Sequence, residues 1–231
     1  MTEAEWLTAT DPTPMLAFLR GRVSNRKLRL IACGCCRRIW TLLVDERSRA
    51  GIEVVERYVD GRATQQELSA AQEAATRAAD LPSWRHIRGM YTDEHRLGFA
   101  AAAVQRATRP TEKPDALAEA MKQAIHFSWS AESIGQVRSR VQETSTFQCQ
   151  IIRCATGNPF RPVTVDPRWR SETAVDLATG IYAERAFDRM PILADALEEA
   201  GCDNADVLAH CRGDGPHVRG CWVVDLLLGK S

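Results

Sequence analysis

From Pro14 to Leu228 the apolar residues recur at intervals of three and four, the period of α-helices that bury one face. Thr13-Pro14 opens a short apolar helix over 15–19, stopped by Gly21. Ser24 caps a longer one over about 25–44. At about 100° per residue, Leu28, Ala32, Cys35, Ile39, Leu42 and Leu43 share one face of it, and Arg37 falls on the opposite face. Asp45 precedes a helix through Ile52, Val54, Val55 and Tyr58 that ends near Gly61. Thr64 and Glu67 have the spacing of a capping box, which opens an Ala-rich helix to about 79 before Leu81-Pro82 breaks it.

Thr92 caps a further helix through Leu97 to Ala107, where a run of alanines would let helices approach closely. Another helix is expected over about 115–129. Ile134, Val137, Val141, Gln148, Ile151 and Ala155 trace the next, which Gly157-Asn158-Pro159 ends. Beyond the prolines, Ser171 caps a helix through Ala174, Leu177 and Ile181. Asp188 precedes one with Pro191 in its first turn and Gly201 as its C-cap. A short helix over 204–211, a Gly213-Asp214-Gly215-Pro216 turn and a nearly all-apolar helix over 217–228 complete the chain. Neither a fixed-period repeat nor β-type alternation is present, so the expected fold class is all-α: a compact multi-helix domain. A length of 231 residues suits one large domain or two small ones. The expectation is a single helical domain over 1–231, with a Pro-rich connection near 158–167. A sub-boundary at 157–168 would separate a helical N-terminal part, 1–156, from a C-terminal part, 169–231.

Several long strings stand at the two ends: TEAEWLTATDPTPMLAFLRG and RKLRLIACGCCRRIWTLL near the start, NPFRPV, IYAERAFDRMPILADALEEAGC and HVRGCWVVDLLLG near the end. They resemble the end blocks shared by a family of uncharacterised bacterial proteins. The resemblance covers about the first quarter and last third of the chain. It implies a bacterial, cytosolic protein and a single recurring unit built from both ends. It transfers no catalytic residue.

Composition narrows the function classes. Thirty Lys plus Arg balance thirty Asp plus Glu, which excludes a globally basic nucleic-acid binder or an acidic tail protein. With 45% apolar and 26% charged residues the chain is of globular type. No apolar run approaches the roughly 18 residues that span a bilayer, and the polar opening MTEAEWLTAT lacks the pattern of a secretory signal. The expectation is a cytoplasmic protein without a membrane partner.

Eight cysteines form three groups: Cys33, Cys35 and Cys36; Cys149 and Cys154; Cys202, Cys211 and Cys221. In a reducing compartment they are expected as reduced, mostly buried thiols. The C-G-C-C cluster lies inside a helix, without the turn that wraps a zinc ion and away from the helix start that would activate a thiol, so packing is its expected role.

His210, Cys211, His217 and Cys221 make the one constellation with metal-ligand chemistry. If the last helix starts at His217, then His217 and Cys221 share a helical face, and the Gly-Pro turn brings His210 and Cys211 towards them. Against zinc stands packing: Cys221 in the core, His217 in a first turn and His210 bonded to a helix end. Packing with no cofactor is the expectation, and zinc is the alternative.

Arg20, Arg22, Arg26, Lys27, Arg29, Arg37 and Arg38 form an acid-free basic stretch that could meet nucleic acid phosphates. The wheel spreads them around the polar half of the helix, and residues 187–206 carry six acids against one Arg that could pair with them. Asp93-Glu94-His95 and His126 with Trp129 are isolated acid–base candidates, and no G-x-S-x-G, P-loop or H-E-x-x-H occurs. These features lean away from an enzyme and towards a non-enzymatic interaction or scaffold module with an unknown protein partner. A zinc-stabilised regulatory or nucleic-acid-associated domain is the first alternative, and an enzyme with a His/acid site the second.

Overall fold

The structure is a computed structural model that describes residues 1–79, 101–105, 107–108 and 134–230, and of 134–141 the backbone alone. Every regular element among the described residues is helical, so the protein is all-α. The helices are α1 (Glu3–Thr8), α2 (Pro12–Leu19), α3 (Asn25–Arg38), α4 (Glu46–Val59), α5 (Gln65–Ala79), α6 (Ile134–Thr156), α7 (Glu172–Glu184), α8 (Met190–Glu199), α9 (Ala205–Arg212) and α10 (Trp222–Leu228). Residues 101–105 and 107–108 are also helical, and the expected helix over 115–129 lies outside the described residues.

The chain divides into two compact units. One comprises Met1 and Ala9–Cys149, the other Thr2–Thr8 and Gln150–Ser231. The division falls within α6, and the non-helical stretch over 158–166 lies inside the second unit.

In the first unit α4 packs against both α3 and α5. Local chemistry sets the helix starts: the side chains of Asp11, Ser24 and Asp45 accept from the backbone amides of Thr13, Lys27 and Arg47. The capping box is reciprocal, with Thr64 N donating to Glu67 Oε2 at 2.7 Å and Glu67 N to Thr64 Oγ1 at 3.2 Å. Gly51 marks a close approach: an added Cβ would lie 3.3 Å from both Thr108 Cγ2 and Val104 Cγ1, so those side chains would have to give way by a few tenths of an ångström. Leu30, Ile31, Ile52, Val55 and Leu68 fill the core around these contacts, each side chain contributing about 1.5–3 kcal/mol by leaving water.

Three details depart from the sequence pattern. α2 starts at Pro12, with Asp11 as its cap, and not at Pro14. α3 ends at Arg38 and not near 44, because the chain tightens into a 3-10 turn over Trp40–Leu42 before Asp45 caps the next helix. Arg37, opposite the apolar stripe, is engaged through tertiary contacts. Its guanidinium donates from Nε and Nη2 to the buried Glu56 carboxylate at 3.2 and 2.8 Å and lies 3.9 Å over the Trp40 ring.

In the second unit α7 packs against α8 and α10, while α9 packs against α8 and α10. Ser171 and Asn204 cap α7 and α9 through the amides of Ala174 and Val207. α8 ends as expected at Gly201, whose φ of +84° is left-handed, with Cys202 N reaching back to the Leu197 carbonyl. α1 belongs to this unit. The Asn158 amide donates to Glu3 Oε1 at 2.7 Å, and Arg161 Nε pairs with the same oxygen at 2.6 Å. Part of the N-terminal block therefore joins the C-terminal block, while Cys33–Cys36 stays in the first unit.

α10 is shorter than the pattern of 217–228 suggests. Gly220 adopts a φ of +92° and Cys221 N closes a turn onto the Val218 carbonyl, so the helix begins only at Trp222. Trp222 is half-buried, whereas Val223, Val224 and Leu227 are core.

Candidate metal centre

All eight cysteines are free and buried. Burial pushes the thiols of Cys33, Cys35 and Cys36 up, Cys36 to about 12, which suits packing residues inside α3.

A different group converges in the second unit. Cys154 occupies the last turn of α6, His210 the last turn of α9, His217 the loop after the Gly213–Pro216 turn, and Cys221 the N-cap position of α10. One ligand atom from each lies within 4.8 Å of every other. His210 Nε2 is 3.2 Å from Cys221 Sγ, and His217 Nδ1 is 3.9 Å from Cys154 Sγ. The two imidazoles stand perpendicular, with centroids 4.9 Å apart. Zinc–sulfur bonds of about 2.3 Å and zinc–nitrogen bonds of about 2.0–2.1 Å at tetrahedral angles require ligand atoms about 3.3–3.8 Å apart. The observed spacings approach that range, so modest side-chain adjustment completes a tetrahedron.

Burial opposes ionisation of Cys221, but its hydrogen bond with Cys154, the charge and hydrogen bond of His210 and the hydrogen bond of His217 outweigh it, holding the thiol well below its usual range. Two thiolates and two neutral imidazoles around a divalent cation carry no net charge, and a neutral centre tolerates burial. The second ring nitrogen of His217, Nε2, is buried and makes no hydrogen bond to another protein group.

The structure thus brings together His210, His217 and Cys221 of the residues singled out by sequence, and replaces Cys211 with Cys154. Adjacent residues on a helix point about 100° apart, and here His210 faces the convergent group while Cys211 does not belong to it. Cys211 is fully buried, with its thiol pushed up by burial. Cys154 lies 56 positions before His210, beyond the reach of any spacing rule. Its signal was only that of a second cysteine cluster. Cys149, the other member, falls in the first unit. His217 and Cys221 present themselves from a turn and not from a helix face, the arrangement zinc favours.

The other candidates are placed differently. Of the basic stretch, Arg29 is buried beneath Tyr58, Arg37 is committed to Glu56, and Arg26 approaches Asp60 at 3.9 Å. Exposed Arg22 and Arg38 lie over the rings of Phe18 and Phe147. Asp93, Glu94, His95, His126 and Trp129 lie outside the described residues. Among the described residues no helix is long and apolar enough to cross a membrane. Comparison with protein-family models, curated proteins and solved structures finds no match to this chain.

Proposed function

We propose that the protein is a zinc-stabilised helical interaction module, with the metal held by Cys154, His210, His217 and Cys221. The observation that carries this reading is the convergence of two sulfur and two nitrogen donors within 4.8 Å. Four protein ligands fill a tetrahedron and leave no position for a water or substrate, so the metal's role is structural and not catalytic. It would tie the end of α6 to the loop between α9 and α10. The helical unit would then act on a protein partner as a scaffold or regulatory domain. A reducing compartment, such as the bacterial cytosol suggested by the end blocks, keeps both thiols available as ligands.

The 3.2 Å contact between His210 and Cys221 also has the form of a thiolate–imidazolium nucleophile. Cys221 exposes none of its surface, however, so a substrate atom does not reach Sγ in this conformation.

Elemental analysis of protein purified under reducing conditions tests the reading. One zinc per chain, lost in both His217→Ala and Cys154→Ser, is expected. Metal-free protein that takes up no added Zn²⁺ and melts at the same temperature with and without a strong chelator would overturn it.

A further inference from the structure

We propose that Gly157 and Trp222 are positioning residues for the metal centre: the glycine leaves room for the indole, and the indole fixes the orientation of the His210 ring. The inference rests on the zinc reading above but concerns residues that donate no ligand atom.

Gly157 lies three residues after Cys154 and ends α6 in the left-handed region, with a φ of +67°. An added Cβ would stand 3.2 Å from both Cγ and Cδ2 of Trp222 and 3.5 Å from Cδ1, so the five-membered part of the indole rests directly against the glycine. Trp222 in turn lies against His210, with ring centroids 5.5 Å apart and planes tilted by 50°. It also follows Cys221 by a single peptide bond. A shift of the indole is therefore felt at both members of the His210–Cys221 pair, whose 3.2 Å contact depends on the rotation of the imidazole.

The arrangement has two consequences. A side chain at residue 157 would both strain the backbone and displace the indole. The half-buried Trp222 also covers His210 with an apolar surface, limiting the approach of water to a centre whose strength depends on a low local dielectric. Groups that orient a metal ligand without touching the metal typically change affinity by about 10–100-fold.

Co²⁺ provides the probe, because its tetrahedral complexes absorb visibly and quench nearby tryptophan emission. The full chain is titrated with Co²⁺ and then Zn²⁺ for wild type, Trp222→Phe, Trp222→Leu and Gly157→Ala, with far-UV circular dichroism as a control on folding. In wild type, Co²⁺ should give a tetrahedral ligand-field spectrum and quench part of the tryptophan emission. Trp222→Phe should keep the affinity within a few-fold and lose the quenching component. Trp222→Leu, folded but without the ring, should bind about tenfold or more weakly with a shifted ligand-field band. Gly157→Ala should resemble Trp222→Leu if it folds, and the two Trp222 variants decide the matter if it does not. Wild-type affinity and an unshifted band in folded Trp222→Leu would overturn the positioning role while leaving the zinc reading intact. Failure of wild type to bind either metal would overturn both.

Discussion

The guanidinium of Arg153 donates twice to the backbone carbonyl of Trp6, from Nε at 3.0 Å and from Nη2 at 2.7 Å. Trp6 itself is fully buried, so this contact anchors a six-residue helix that is too short to persist alone. Arg153→Ala should lower stability by about 1.5–3 kcal/mol, the usual worth of a charged hydrogen bond. Denaturant unfolding measures the loss, and limited proteolysis should show earlier cleavage near residue 9. Unchanged stability together with unchanged cleavage would mean that the burial of Trp6 and the contacts of Glu3 with Asn158 and Arg161 hold α1 without it.

Glu56 is 2% exposed and meets Arg37 through two parallel hydrogen bonds. Glu56→Ala leaves the Arg37 guanidinium, whose side chain is 23% exposed, without its partner in a partly solvated place. The change should cost about 1.5–3 kcal/mol, the usual worth of hydrogen bonds to a charged group, and Glu56→Gln, which preserves shape and one acceptor, less. Thermal melts of the two variants check the order. Equal losses would show that the lost charge, common to both variants, dominates, and not the cavity that only Ala leaves.

Cys35 is 5% exposed within α3, and burial pushes its thiol well above the usual range. Both features predict slow alkylation in the native protein, since the thiolate is the reacting species. Cys35→Ser places a hydroxyl where an apolar contact was and should cost about 1–3 kcal/mol. Rapid native labelling of Cys35 with an unaffected Ser variant would refute the packing role.

The features legible in the sequence are the local ones. Ser24, Asp45, the Thr64–Glu67 box, Ser171 and Gly201 each act within a few residues, so type and spacing suffice to place them. The partnership of Arg37 with Glu56 was not legible, because a helical wheel assigns a residue a direction but not a neighbour. The start of α10 was misplaced for a related reason: an apolar run reads as helix until the left-handed backbone of Gly220 interrupts it. His210, His217 and Cys221 could be suspected from a turn joining two ligand pairs. Cys154 enters only when α6 is folded against that turn, and Cys211 drops out only when the rotation of α9 is known.

That exchange of cysteines gives the sharpest test of the centre. Cys154 and Cys211 are both buried, so removing either sulfur should cost packing energy of similar size, about 1–3 kcal/mol. Only Cys154 stands with His210, His217 and Cys221 at ligand distance. Cys211→Ser should therefore keep one zinc per chain and keep its melting temperature sensitive to a chelator. Cys154→Ser should lose the zinc and the chelator sensitivity together. Where free zinc exceeds its dissociation constant about a hundredfold, the metal contributes about 2.7 kcal/mol, which corresponds to roughly 5–11 °C in the melting temperature of a chain of this size. A chelator should lower the wild-type melt by at least that amount, since structural metal binding is part of the folding free energy. If Cys211→Ser loses the metal and Cys154→Ser retains it, the centre is built on the sequence-adjacent pair and the geometry described for Cys154 is wrong.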